Sequence, residues 1–367
     1  MPFEQPILAI GLMSGTSMDG VDCAIIKTDG LRFVEPISSL TIPYSSGFRF
    51  ELLGIQGGHG AVDKIDQKLT HYHAEAVQAL LRKTNLKAKD ISLIGFHGHT
   101  ILHLPQKRRT WQIGDAQLLA SLTKINIVAD FRSNDVAAGG QGAPLAPIFH
   151  SAIAPGKMPL CLINIGGVAN VTWIGAKKSY DMSNEFSNLL AFDTGPGNAL
   201  IDDWVLSNYG KPFDRDGLIA ARGSVDRECL DFLMSNTYFK KSPPKSLGRD
   251  DFENSCISTL SPADGAATLT EFSANAIKKA ECFLPDYPRQ WIVTGGGRNN
   301  IFLMKLLRRK LNANVLTAEE VGLNGDSMEA EAFAYLGVRS LRKLPLSGPT
   351  TTGVASPMTG GKFFNAY

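Results

Sequence analysis

"ILAIGLMSGTSMDGVDCAII", residues 7–26, sets two apolar runs around a stretch from Ser14 to Asp22 that is crowded with Gly, Ser, Thr and Asp. A plain hairpin turn needs two or three special residues, and this one has many more. Glycine lets backbone N–H groups turn toward an anion with no Cβ in the way, and hydroxyls add donors. Gly15, Thr16, Ser17 and Gly20 therefore suit a terminal phosphate, and Asp19 or Asp22 suits a hydrated magnesium ion, which keeps several waters. The alternative is a decorated hairpin turn. There is no GxxxxGK[ST], and no GxGxxG opens a helix after the first strand, so neither familiar phosphate motif applies.

Working outward, "LCLINIGGVANVTWIG" (160–175) repeats the layout of strand, Gly-rich turn and strand about 150 residues later. Two further Gly-rich turns follow, "FDTGPGN" (192–198) and "VTGGGRNN" (293–300). Other strand candidates lie at 92–98, 126–130 and 290–296. Helical patterns cover 61–84, 115–123, 196–209, 263–283, 299–310 and 327–342; within 263–283, Leu269, Phe272, Ala276, Ile277 and Ala280 fall at helical spacing. Alternating strands and helices predict an α/β protein, and the echoed hairpin predicts a duplicated fold with a cleft between two lobes.

A length of 367 residues agrees with two packed lobes, and 44% hydrophobic with 20% charged residues is ordinary for a globular chain. A net charge of +2 gives no general pull toward nucleic acid or an anionic membrane. The five cysteines (23, 161, 229, 256, 282) are scattered and form no CxxC pair, which predicts buried reduced thiols. No apolar run is long enough to span a bilayer, and the N-terminus lacks a basic region before its apolar run. A cytoplasmic protein is the expectation.

In "FDTGPGN", Asp193 falls where a strand delivers a carboxylate, while Gly195 and Gly197 keep the backbone close to a ligand. Such a carboxylate can take a proton from an attacking water; the alternative is an N-cap aspartate. Gly295, Gly296 and Gly297 lie between a strand and a helix and suit a nucleotide, or merely ease the turn. In "GFHGHTILHLP" (95–105), regular strand geometry would point His97 and His99 to one face. Without a nearby carboxylate or cysteine, ligand-binding or core histidines outweigh a metal site with His103. Arg132, in the polar connector 129–147 with Asp130 and Asp135, suits a carboxylate or sugar hydroxyls, or else a salt bridge. Glu329 stands in an otherwise apolar helix, with Glu331 on a different face.

"GLMSGTSMDGVD", "FHGHTILHLP", "QIGDAQLLA", "DFRSNDVAAGGQGAPLAPIFH", "NIGGVANVT", "FDTGPGNALIDDW", "GGGRNN" and "TGVASPMTGG" occur in this order over nearly the whole chain. In this the chain resembles the anhydro-N-acetylmuramic acid kinases. The resemblance implies a two-lobed actin-like (ribonuclease H-like) ATPase fold, each lobe a mixed sheet flanked by helices, with ATP in the cleft. It implies hydrolytic opening of the 1,6-anhydro ring of anhydro-N-acetylmuramate with transfer of the ATP γ-phosphate to O6, in peptidoglycan recycling. Carried onto this chain, Gly15, Thr16, Ser17, Met18, Asp19, Gly20, Val21 and Asp22 form the ATP phosphate loop, with magnesium on Asp19 directly or through water. Gly166 and Gly167 give the second phosphate turn, Gly195 and Gly295 to Gly297 lie along the nucleotide, and Asp193 is the base. His97, Arg132 and Glu329 are candidates for holding the sugar. A homodimer is expected from the family.

The expected limits are 1–131 plus 345–367 for the first lobe and 132–344 for the second. The family usually carries Gln where this chain has His99, which bears on sugar affinity if that side chain touches the sugar. The nearest competing reading is a levoglucosan kinase on the same scaffold. An assembly ATPase is more distant, since no peptide-binding domain is evident, and a dehydrogenase lacks its fingerprint.

Overall fold

A computed structural model describes residues 5–15, 17–176, 185–248, 252 and 255–366. The chain opens with strands β1 (Ile7–Ser14), β2 (Gly20–Thr28) and β3 (Val34–Pro43), then helices α1 (Ser46–Leu53) and α2 (Val62–Thr84). There follow β4 (Leu93–Leu104), β5 (Arg109–Ile113), α3 (Ala116–Thr123), β6 (Ile127–Ala129), α4 (Ser133–Ala137) and α5 (Pro147–Ile153). A second series has β7 (Leu160–Ile165), β8 (Val168–Ile174), β9 (Leu189–Pro196), α6 (Ala199–Tyr209), α7 (Arg227–Met234) and α8 (Pro262–Ala280). It ends with β10 (Gln290–Thr294), α9 (Ile301–Lys310) and β11 (Asn314–Thr317), before α10 (Met328–Leu341) and β12 (Lys362–Phe364).

The two sheets share one topology. The first runs β12-β6-β4-β1-β2-β3, with β5 beside β4, and the second runs β11-β10-β7-β8-β9. In each, three antiparallel strands form a meander whose first strand then pairs in parallel with a later one: β1 with β4, and β7 with β10. A further parallel strand follows, β6 or β11. The echo between residues 7–26 and 160–175 is thus an echo of whole sheets. The α/β class and the repeated, helix-flanked mixed sheet are as expected.

Local chemistry explains the helices. In α2, Ile65, Leu69, Ala76, Val77 and Leu80 are buried along one stripe. Asn85 stops it in the left-handed region at φ 56°. In α8, Pro262 occupies the first turn, and the Ser261 hydroxyl accepts from the Asp264 N–H at 3.2 Å.

The chain divides into two compact units, Met1–Ala154 with Ser327–Tyr367, and Pro155–Asp326. This corrects the expected limits at 131/132 and 344/345. Helix α10 joins the first unit because its backbone rests on β1 and β4: a Cβ on Gly11 would stand 1.7 Å from the Ala330 carbonyl oxygen, and one on Gly95 1.9 Å from that of Phe333. Residues 132–154 join it through α4, whose Asp135 accepts from Thr352 Oγ1 at 2.6 Å.

The expectation of reduced thiols holds for Cys23 and Cys161, which are buried, with thiols that burial pushes well up. Cys282 is free and exposed. Cys229 and Cys256 are instead joined in a disulfide. Helix α7 and the turn at 255–259 pack into one core with Leu230, Leu233 and Ile257, which brings residues 27 apart to a Cα separation of 5.5 Å. Sequence spacing carries no sign of that.

Candidate functional site

In the first unit the turn after β1 begins at Gly15, whose carbonyl accepts from the Met18 N–H at 3.1 Å. Met18 takes φ 53°, a conformation that non-glycine residues rarely adopt. Ser17 donates to Asp19 Oδ1 at 2.8 Å, and Asp19 is exposed. Thr16 lies outside the described residues. Asp22, already within β2, accepts from the Thr41 hydroxyl at 2.6 Å. Two candidates here serve the fold. Val21 is fully buried in the core, and a Cβ on Gly20 would lie 2.4 Å from the Ile42 carbonyl oxygen, so β3 demands the glycine. A single exposed carboxylate, one oxygen already accepting from Ser17, fits a magnesium ion that keeps its waters and binds phosphate oxygens. Among the described residues no group of three His, Cys, Asp or Glu could hold a metal by itself.

His97, Arg132 and Glu329 converge. Arg132 donates from Nε (3.1 Å) and Nη2 (2.9 Å) to His97 Nε2, and from Nη1 to the Gly142 carbonyl (2.7 Å). His97 Nδ1 donates to its neighbour Gly98 at 2.9 Å, so the lone pair on Nε2 faces the guanidinium. Burial first, and then the Arg132 charge, hold His97 well below the usual imidazole range. Burial brings Arg132 down to about 10, opposed by Glu329 and then Asp135. Phe333, one helical turn beyond Glu329, covers both: its ring centroid is 4.5 Å from that of His97 and 6.0 Å from Arg132 Cζ. Sequence reasoning missed Phe333, although its i+4 spacing from Glu329 put it on the same helical face.

His99 does not share the face of His97, contrary to the regular-strand expectation. Gly98 has φ 73° and the β1–β4 register shifts beside it, which breaks the alternation. The His99 ring turns instead to Ser14 Oγ (3.1 Å) and Gln56 Nε2 (3.2 Å), with Tyr44 donating to Ser14 at 2.8 Å. Burial lowers its pKa to about 4. His103 is separate again, against Thr110 Oγ1 (3.0 Å) and the Gln141 carbonyl (2.9 Å).

In the second unit Asp193 lies within β9, paired with Asn170. It does not cap α6, whose N-cap is Asn198. Its N–H donates to the Lys245 carbonyl at 3.0 Å, its carbonyl accepts from the Tyr238 hydroxyl at 2.6 Å, and Oδ2 accepts from the Leu247 N–H at 2.8 Å. The turn between β7 and β8 closes onto the start of α6. The Gly167 carbonyl accepts from the N–H groups of Gly197 (2.8 Å) and Ala199 (3.2 Å), and that of Gly166 from Asn198 (2.8 Å).

The glycines sort into two groups. A Cβ would strike Ala276 from Gly195 (2.5 Å), Gly166 from Gly197 (2.2 Å), Asn164 from Gly295 (2.2 Å) and Ile165 from Gly297 (2.4 Å), so packing alone accounts for these four. At Gly15, Gly166, Gly167 and Gly296 the nearest atom would be 3.5 to 3.9 Å away, and packing asks for nothing so small. Arg298 holds the Gly295–Gly297 turn from behind, donating to the Gly295 carbonyl (2.9 Å), Glu319 (2.9 Å) and Asp326 (2.6 Å).

Residues 7–366 match the family model described as anhydro-N-acetylmuramic acid kinase. Curated proteins of that name are similar to this chain along their whole length. That of Paramagnetospirillum magneticum is 49% identical over 97% of this chain and 99% of its own. That of Zymomonas mobilis is 46% identical over 97% and 99%, and that of Acidiphilium cryptum 48% over 96% and 97%.

Proposed function

Because this chain belongs to the anhydro-N-acetylmuramic acid kinase family, a family of phosphotransferases, we propose that it couples hydrolysis of the 1,6-anhydro bridge to phosphorylation of O6. Asp193 takes a proton from water as that water attacks C1 of the sugar. The C1–O6 bond breaks, O6 accepts the γ-phosphoryl group of ATP, and ADP and N-acetylmuramate 6-phosphate leave. One carboxylate thereby serves both halves of the reaction.

The observation that carries this reading is the setting of Asp193, three of whose groups are bonded within the second unit while it stands clear of the helix start. A base must be held still to act within hydrogen-bond reach of its water. Gly15, Gly166, Gly167 and Gly296, the glycines that packing does not require, are assigned to the phosphates and nucleotide, with Ser17 as a hydroxyl donor. Magnesium, held through water by Asp19, supplies charge neutralisation at the phosphates. Arg132, oriented by His97 and Gly142, retains its charge at neutral pH and offers its remaining N–H groups to the sugar, with Glu329 beside it.

In this reading the enzyme works in peptidoglycan recycling, in the cytoplasm and as a homodimer, with no nucleic acid or membrane partner. No helix among the described residues is long and apolar enough to cross a membrane. The test is ADP release with magnesium and each of two sugars. The expected result is release that depends on anhydro-N-acetylmuramate and is at least tenfold slower with levoglucosan. Preference for levoglucosan contradicts the substrate assignment, and no release with either contradicts the kinase reading.

A further inference from the structure

We propose that Asp193 is set in place by the segment from Asn236 to Leu247, and that Lys245 is the positioning residue that anchors this segment. The inference rests on the reading of Asp193 as the base. Among the described residues strand β9 is an edge of the second sheet, so the backbone groups on its outer side pair with no strand there. At Asp193 these groups, and the carboxylate too, are taken up by this segment: Lys245 accepts from the amide, Tyr238 donates to the carbonyl and Leu247 donates to Oδ2. The carboxylate therefore sits where the segment puts it.

The segment has one unusual tie. Lys245 is only 8% exposed, and its ammonium has no carboxylate partner among the described residues. It donates to the Tyr238 carbonyl at 3.3 Å and lies 4.2, 4.6 and 5.6 Å from the ring centroids of Phe283, Tyr238 and Phe192. Phe192 immediately precedes Asp193, so the ammonium grips β9 from the face opposite the carboxylate, as strand alternation requires. Three rings around one cation make a cage whose attraction depends on the charge. Lys245 thus joins the strand carrying the base, the ring carrying the hydroxyl and the loop carrying the Leu247 amide. Burial lowers its pKa to about 8, with Cys282 opposing and Lys241 adding to the effect. A lysine kept where its charge is costly, on a loop whose contacts converge on one aspartate, is otherwise unexplained.

The test compares Lys245→Met, which fills the cage without charge, with Lys245→Arg and Asp193→Asn, using full-length enzyme, ATP, magnesium and anhydro-N-acetylmuramate. Lys245→Met should lower kcat about tenfold with both KM values within about twofold, and Lys245→Arg should restore most of it. The acid limb of the kcat profile should also move to higher pH in Lys245→Met, because a carboxylate that loses an N–H donor holds its proton more tightly. A folded Lys245→Met with unchanged kcat and unchanged limb overturns the proposal, as does a loss confined to KM. Asp193→Asn separates the two readings. If it is inert while Lys245→Met is normal, only the anchor fails; if it is active, the base fails and the anchor with it. Should Lys245→Met not fold, Tyr238→Phe removes only the hydroxyl on the Asp193 carbonyl, and kcat equal to wild type then overturns the proposal.

Discussion

At the scale of single residues, the first unit is loaded with histidine and the second has none: all seven lie at or before residue 150. Burial pushes His73, His99, His103 and His150 down to about 4 and His97 well below its ordinary range. These rings are neutral when folded and titrate near 6.5 when unfolded, so the unfolded chain binds more protons as pH falls. Their contribution to stability is full above 6.5 and is lost as pH drops through about 4. For the fully enclosed His73 and His99, protonation in place costs roughly 3 kcal/mol each. Asp66, pushed up to about 6 by burial, and Glu331, also raised by burial, work the other way but are two groups against five. Hydrogen exchange followed from pH 7 to pH 4.5 should therefore show amides of the first unit losing protection while those of the second persist. Equal loss in both units would contradict this account of the histidines. Their neutrality could not be read from the sequence, because it depends on tertiary burial: Phe96 of β4 packs on His73 of α2, and Phe333 of α10 packs on His97. The positive φ of Gly98 was equally hidden, and it sends His97 and His99 apart.

At the scale of elements, α10 shows how a helix that bears candidate site residues is held. It lies so close to β1 and β4 that Ala330, Phe333 and Ala334 backbone atoms fill the space a Cβ would need at Gly11 and Gly95. Neither glycine can yield, since backbone rather than a flexible side chain blocks it. Gly11→Ala or Gly95→Ala should cost about 3 kcal/mol in denaturant unfolding. Gly47→Ala, in α1 with nothing within 4 Å, should be neutral or stabilising. Unchanged midpoints in all three would refute the close approach. The long elements were legible, because periodicity marked α2, α8, α9 and α10 to within a few residues. Strand β3 was not among the strand candidates: it carries polar Ser38 and Ser39 with Pro36, and it is an edge strand that tolerates them. Helices α1, α4, α5 and α7 span 5 to 8 residues and were not marked, since so few turns give periodicity little to work with, although α3, of 8 residues, was.

At the scale of the molecule, one sheet topology is used twice, and glycines that packing does not require stand at corresponding turns: Gly15 after β1, Gly166 and Gly167 after β7. The duplication was visible from residues 7–26 and 160–175 because each hairpin keeps its strands and glycines adjacent in sequence. The limits of the units were not, because α10 belongs with strands more than 200 residues earlier, a pairing that only backbone contact reveals. The same holds for the segment around Lys245, whose link to Asp193 crosses about fifty residues. The central claim is that Asp193 activates the water that opens the ring. Its most direct test is mass spectrometry of the sugar phosphate formed from anhydro-N-acetylmuramate, ATP and magnesium in ¹⁸O-labelled water, for wild type and Asp193→Asn. The account predicts a product carrying one label at C1 with wild type and none formed by the variant. An unlabelled phosphorylated sugar, or a variant that turns over at the wild-type rate, would contradict it.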